Sequence, residues 1–342
     1  MSSRPNKPSY NFAPVKDVKT LALALGLTER QLNRLAANAG NMYRRNAVAK
    51  KDGSERVTWD AHKQLKAVQG RINQLFFHKV LFPLYLQGSI RDRAYPRDYV
   101  RNAEIHAGAH IAITLDIADF FPSTRAELVR DIWKNFFRFA PDVAEVLTCL
   151  TTKDDFLPQG ARTSSYLANL VFWQREHNLV ETLEKRGWRY SRLTDDMTIS
   201  TTADTSEKEL TDINRIAIGC FQGYGYSIKR SKHKVLRRNH RVTVNSLVVN
   251  VHPALPKEER RRIRAQVHQV KQALTSGTQA NMPSVASTRG KIAKVVRLHP
   301  ELGARLSDAF GQAIPFDSDG SSESLDERGI AMDRACGATV AV

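Results

Sequence analysis

The chain has 342 residues, 42% of them hydrophobic and 25% charged, an ordinary globular composition that excludes a fibrous or wholly unstructured polymer. Its 52 Lys+Arg against 35 Asp+Glu leave a net charge of +17, with a pI near 9.9. Such an excess predicts a polyanionic partner, most simply nucleic acid, rather than a membrane, since no long apolar run or cationic amphipathic anchor stands out.

Residues 1–14, "MSSRPNKPSYNFAP", hold no apolar signal core and are Pro/Ser/Asn-rich, so a loose N-terminus and a cytoplasmic protein are expected. From Val15 the pattern turns helical, through "VKDVKTLALALGL" and "TERQLNRLAANAG", with Thr28 and Gln31 spaced as a capping box. The pair has the outline of a helix-turn-helix, but Leu21, Leu25, Leu32 and Leu35 better fit a helical cap packed inward. "NAVAKKDGSERVTW" reads as a hairpin turning at Asp52-Gly53. Residues 61–87 read as one amphipathic helix ending near Pro83. "HIAITLDIADFFPS" reads as a strand with Asp116 near its end, and Thr124 with Glu127 predicts a capping box for the helix "ELVRDIWKNFFRF".

Beyond it, "LPQGARTSS" is a small-residue loop running into a long helix that stops at Gly187. A hairpin, "YSRLTDDMTIS", follows, then a helix near 206–223 and the strand-like "RVTVNSLVVNV". After Pro253 the composition shifts to a basic helix, "PKEERRRIRAQVHQVKQAL", and a second helical pair. The residues from 315 are acidic and Ser/Gly-rich, which predicts disorder. Cys149, Cys220 and Cys336 are scattered without ligand spacing, against a zinc site or a disulfide framework and in keeping with a reducing compartment.

Two carboxylate stations carry the chemistry. Asp116 ends an apolar strand, and Asp195 with Asp196 tips a hairpin nearly 80 positions later. Strand ends brought together would pool three like charges, each opposing ionisation of the others. A pair of Mg²⁺ ions, roughly 3.5–4 Å apart, resolves that repulsion and equips the site for in-line phosphoryl transfer, with Mn²⁺ a possible substitute. Asp119 is a candidate nucleotide contact or a cap for the next helix. In the basic helix, Arg260, Arg264, His268 and Lys271 share a face that can track a phosphate backbone, each as a candidate RNA or DNA contact.

"LDIADFFPS", "LPQGARTSS" and "TDDMTIS", in that order, resemble the palm motifs of reverse transcriptases. "SIRDRAYPRDYVRNAEIHAGAH" contains Asn102-Ala103-x-x-His106, similar to the asparagine-alanine-x-x-histidine signature of bacterial retron reverse transcriptases. "SIKRSKHKV" with "VNSLVVN" resembles their region downstream of the catalytic hairpin. The likeness spans roughly residues 15–312.

The resemblance implies an α+β right-hand polymerase fold. Its parts would be N-terminal helices and fingers over 15–110, a palm over 111–252 and a helical thumb over 253–314. It implies that Asp116, Asp195 and Asp196 hold the metal ions, with Ile117 lending its backbone carbonyl. Phe121 would exclude a 2′-hydroxyl, although Phe120 and Phe121 also suit a plain core. Gln159 and Gly160 would support the nascent base pair. Lys50 or Lys51 with Arg56 would grip the triphosphate, and Lys232 would assist pyrophosphate departure. Asn102 and His106 become candidate RNA contacts, His106 equally a structural histidine.

The implied partners are a cognate structured noncoding RNA, its DNA product, deoxynucleoside triphosphates and an effector or toxin protein in anti-phage defence. The implied product is branched RNA-linked single-stranded DNA. Leu193 departs from the aromatic residue usual two positions before the first hairpin aspartate, which bears on the primer end. Val244-Asn245-Ser246 departs from the usual valine-threonine-glycine, which bears on RNA choice through Asn245. The alternatives are a reverse transcriptase of group II intron or diversity-generating type, or a non-catalytic RNA-binding scaffold.

Overall fold

The computed structural model describes residues 5–49, 53, 55–276 and 283–312. They fall into two units, one running to Val244 and taking in Val249–Val251, the other holding Asn245–Val248 and the chain from His252.

In the first unit, α1 (Val18–Ala24) and α2 (Glu29–Asn38) open the chain. The capping box forms as its spacing predicts: Gln31 N donates to Thr28 Oγ1 at 3.2 Å, and Thr28 N donates to Gln31 Oε1 at 2.9 Å. Leu21, Leu25, Leu32 and Leu35 are all buried, so the pair is a packed cap. Residues 8–10 are not loose. Ser9 bridges Leu81 through two backbone bonds, and the Tyr10 ring meets Phe137 edge-on at 4.7 Å.

Strands β1 (Tyr43–Ala49) and β2 (Glu55–Ala61) form an antiparallel hairpin. Helix α3 (Lys63–Leu75) is shorter than its pattern suggests, giving way to a 3₁₀ turn over Phe77–Lys79. Phe76 and Phe77 are adjacent and both buried, which one helical face cannot achieve; the turn lets each ring reach Trp133 and Phe137.

After α4 (Tyr99–Ile105), the central sheet is built from β3 (Ile111–Asp116) and its later partners. The short α5 (Phe120–Ser123) follows, then α6 (Ala126–Asp131), which runs into a π-turn over Ile132–Phe136, then α7 (Pro141–Thr151). Thr124 does not cap α6. Its hydroxyl is buried, donating to Phe120 O at 2.8 Å and lying 2.8 Å from the Tyr226 hydroxyl, so it closes α5 instead.

The long helix expected before Gly187 is two helices, α8 (Ser164–Leu170) and α9 (Glu176–Lys185). The break turns Phe172 into a cluster with Phe120, Phe221 and Tyr226, burying a run that no single helical stripe could bury. Strands β4 (Arg189–Leu193) and β5 (Asp196–Thr201), helix α10 (Glu207–Gln222) and β6 (Lys234–Arg237) complete the sheet. Its order is β4-β5-β3-β6, antiparallel throughout. Beyond β4, Tyr85–Gln87 adds a parallel edge, with Arg192 N donating to Tyr85 O and Gln87 N to Arg192 O, each at 2.8 Å.

The strand-like run 241–251 holds only β7 (Thr243–Val244) and β8 (Leu247–Val248). Between them Asn245 and Ser246 both adopt left-handed φ, 47° and 64°, which ends any continuous strand.

The second unit carries α11 (Lys257–Ser276), α12 (Val285–Leu298) and α13 (Pro300–Gly311). Ile263, Val267 and Val270 make the inward stripe of α11, and Gln266 Nε2 donates to Thr288 Oγ1 at 2.7 Å across to α12. Leu306 and Phe310 close this core from α13. Among the described residues no helix is long and apolar enough to cross a membrane.

Candidate active site

Antiparallel pairing sets Asp116, the last residue of β3, directly opposite Asp196, the first of β5. Asp195 sits in the intervening turn, and its carbonyl accepts from Ile117 N at 3.3 Å. Three carboxylates separated by up to 80 positions thus meet at one sheet end. Asp116 is 4% exposed. Its carbonyl accepts from Lys229 N at 2.8 Å, and its Oδ2 accepts from Lys232 Nζ at 2.6 Å. The 3₁₀ turn Arg230–Lys232 therefore delivers Lys232 to the centre of the site.

Crowding raises the acids. Burial, then the charge of Asp116, lifts the Asp195 carboxyl above its ordinary value. Burial, then Asp195, then a hydrogen bond to Asp116 push Asp196 up to about 7. A site that strains three hard oxygen ligands this way has the donor chemistry of a divalent-cation site. Among the described residues no group of three or more His, Cys, Asp or Glu is arranged to hold a metal ion by itself. Lys232 stands against Asp116, and Mg²⁺ at such centres takes only one or two carboxylates, the rest of its shell being water and substrate phosphate.

A pH test follows from the raised acid. Asp196 is raised from 3.8 to about 7, so its protonated form stabilises the fold below the lower value and that contribution disappears as pH climbs through the upper one. In metal chelator, Asp196→Asn should melt near the wild type in acid and several degrees above it by about pH 8. A pH-independent gap between the two melting curves would rule out the crowding.

The other candidate residues divide by location. Arg56 is exposed on β2, and its charge helps hold Asp195 down, which puts the hairpin within electrostatic reach of the acids. Lys50 and Lys51 lie outside the described residues. Gln159 O accepts from Trp59 N at 2.7 Å, docking its loop on β2. Gly160 follows at φ 104°, where an added Cβ would stand 3.2 Å from Trp59 O. Phe120 is buried against Phe172 and Tyr226, whereas Phe121 is half-buried, edge-on to Phe120 at 5.5 Å. Asp119 is exposed at φ 44° and makes no side-chain cap on α5.

Asn102 and His106 are placed differently from the expected RNA contacts. Asn102 is 1% exposed and His106 is 0% exposed. The imidazole lies 2.7 Å from both the Ser200 and Ser191 hydroxyls, and burial pushes its pKa down to about 3. It is a neutral bolt joining α4 to β4 and β5, so the structural reading of His106 prevails over the RNA contact. Asn245 is half-buried in the second unit. There Arg264 and Lys271 are exposed and Arg260 half-buried, flanking the apolar stripe of α11.

Sequence reading passed over Arg192, whose side chain is fully buried and paired with Glu176. Its signal was an arginine on the same strand face as Tyr190, three positions before the paired aspartates. Its partner on α9 could not be named from spacing.

No family model matches the chain. Relatives are clear nonetheless. It is 34% identical over 321 residues to the retron Se72 reverse transcriptase of Salmonella heidelberg, covering 92% of this chain and 84% of that protein. It is 31% identical to the retron Ec48 reverse transcriptase of Escherichia coli, covering 77% of this chain and 66% of that one. The retron Mx65 reverse transcriptase of Myxococcus xanthus is 29% identical over 279 residues, 76% of this chain and 62% of its own. With carboxylates meeting at a sheet end and relatives of this closeness and coverage, the chain belongs to the retron reverse transcriptases.

Proposed function

We propose that this RNA-directed DNA polymerase copies a structured noncoding RNA into branched, RNA-linked single-stranded DNA, acting in the cytoplasm in anti-phage defence beside an effector protein. The observation that carries the catalytic part is the register of Asp116 opposite Asp196 with Asp195 in the adjoining turn. In this reading residues 15–110 supply N-terminal helices and fingers, 111–252 the palm and 253–314 a helical thumb.

When bound, two divalent cations, Mg²⁺ by preference, supply Lewis acidity to the attacking 3′-oxygen and to the triphosphate. Asp116, Asp195 and Asp196 would hold them, the Ile117 carbonyl lending a further oxygen. Arg56, with Lys50 or Lys51, binds the triphosphate of the incoming nucleotide, where a guanidinium can make two parallel bonds to phosphate oxygens. Lys232 leaves Asp116 to assist the departing pyrophosphate, offsetting part of its negative charge. Its side chain is 53% exposed, so it can swing from Asp116 without disturbing the core. Phe121 lies beneath the sugar and leaves no room for a 2′-oxygen, while Phe120 remains core. Gln159 and Gly160 back the nascent pair. Arg260, Arg264 and Lys271 track the duplex phosphates, and Asn245 contributes to choosing the RNA.

Nucleic acid that co-purifies with the protein tests this reading. Branched RNA-linked DNA, sequenced from the purified complex, is the expected result. RNA alone, with no DNA made on added deoxynucleotides and Mg²⁺, would mean a scaffold that only binds.

A further inference from the structure

The turn that carries Asp195 is held from two sides by groups the proposed chemistry does not use. Thr194 lies at φ 62°, a left-handed conformation that a β-branched residue keeps only when its surroundings enforce it. On one side stands Arg192. Its Nε and one terminal nitrogen grip Glu176 at 2.6 and 2.8 Å, and the Tyr190 hydroxyl donates to the same carboxylate at 2.6 Å. The remaining donors reach backbone: Nη1 to Thr194 O at 2.8 Å and Ala168 O at 3.2 Å, Nη2 to Asn169 O at 3.1 Å. On the other side stands Gly88. A Cβ there would lie 2.5 Å from Thr194 Oγ1 and 2.6 Å from Thr194 N. Asn169 joins the two, since its side-chain amide donates to Gly88 O at 2.7 Å.

We propose that Glu176, Arg192, Asn169 and Gly88 form a clamp that sets the Thr194 turn, and with it the placement of Asp195 and Asp196 against Asp116. They are positioning residues. A buried ion pair is a poor source of stability, because desolvation consumes most of its attraction, and apolar residues of the same volume often do as well. What apolar residues cannot do is hold a strained carbonyl in a fixed direction. The planar fork of Arg192 does so, spending one edge on Glu176 and the other on the turn. Small displacements of metal-holding carboxylates cost rate steeply, so the clamp acts on turnover rather than on nucleotide affinity.

The inference rests on the three aspartates being the polymerising site, and the test keeps the two apart. Arg192→Lys retains the charge but lacks the planar fork that grips Glu176 with two donors while a third reaches Thr194 O. Gly88→Ala pushes on the same turn from the opposite side and leaves the ion pair alone, so it carries the test should the first variant fail to fold. Single-nucleotide incorporation on a primed RNA template is measured for both, beside amide hydrogen exchange. The expected result is a maximal rate lower by about tenfold to a hundredfold, with half-saturating nucleotide within about twofold. Exchange should quicken at residues 194–196 while Ile113 and Ile199, paired within the sheet, stay protected.

Leu147→Ala, in a helix packed against α1, α2 and α3, is the control for general destabilisation. It should lower the melting temperature and leave both readouts alone. Variants that melt lower yet polymerise and exchange like wild type overturn the clamp. A wild type that adds no nucleotide overturns the polymerase reading instead, and hydrogen exchange then decides the clamp by itself.

Discussion

Replacing Asp195 and Asp196 together by Asn should abolish DNA synthesis, by about a thousandfold or more, while RNA binding and the fold persist. The argument is electrostatic. Burial and then the charge of Asp116 raise the Asp195 carboxyl, while burial, then the charge of Asp195, then Asp116 raise that of Asp196. An amide is nearly isosteric and carries no charge, so the substitution relieves repulsion in the metal-free protein. Stability should therefore hold or rise even as the ligands for cations disappear. RNA binding draws on the +17 net charge spread over the chain and should not weaken. Primer extension with gel readout and a filter-binding assay on the same preparation separate the two effects. Residual synthesis within tenfold of wild type would remove these aspartates from the chemistry.

The largest effect on stability is expected in the second unit. Gly303 faces the backbone of α12, and a Cβ built on it would stand 2.3 Å from Val296 Cα and 2.6 Å from Val296 N. Neither atom can swing aside, because both belong to helical main chain. Gly303→Ala must push α13 away from α12 and open the layer that holds Leu306 and Phe310. Its gain in helix propensity, about 1 kcal/mol, is smaller than the overpacking cost of about 1–3 kcal/mol or more, so the net sign is destabilising. Limited proteolysis at rising temperature, read at sites within 285–311, should show this unit opening several degrees early. Gly290 lies on α12 with nothing within 4 Å of its own Cβ position, and Gly290→Ala should be neutral or mildly stabilising. Equal behaviour of the two variants would mean the helices do not approach so closely.

The strand ending in Asp116, the hairpin carrying Asp195 and Asp196 and the cap of α2 were all legible in the chain itself. Each rests on short-range periodicity or on residues three or four apart, which elementary propensities report. The ordered motifs carried the resemblance to the family as well, because their residues and order are read directly along the chain. What spacing could not reveal was partnership across the fold. Glu176 and Arg192 look like surface charges in sequence and are buried against each other. His106 suits an RNA contact or a structural role equally in sequence and is a neutral bolt between two serines. Gly88 looks like an ordinary loop glycine and lies against Thr194.

The helix lengths misled for a related reason. Phe76, Phe77 and Phe172 continue helical patterns, but burying every ring required the chain to turn. Thr124 had the spacing of an N-cap and closes α5 because Tyr226, over a hundred residues away, offers its hydroxyl. By itself the sequence pointed to most of the strands and helices and to residues whose chemistry suits metal and phosphate, since those follow from local pattern and side-chain type. The tertiary structure alone decided which charges are buried, which donors meet which acceptors and how the Thr194 turn is held, since these depend on contacts between residues far apart in the chain.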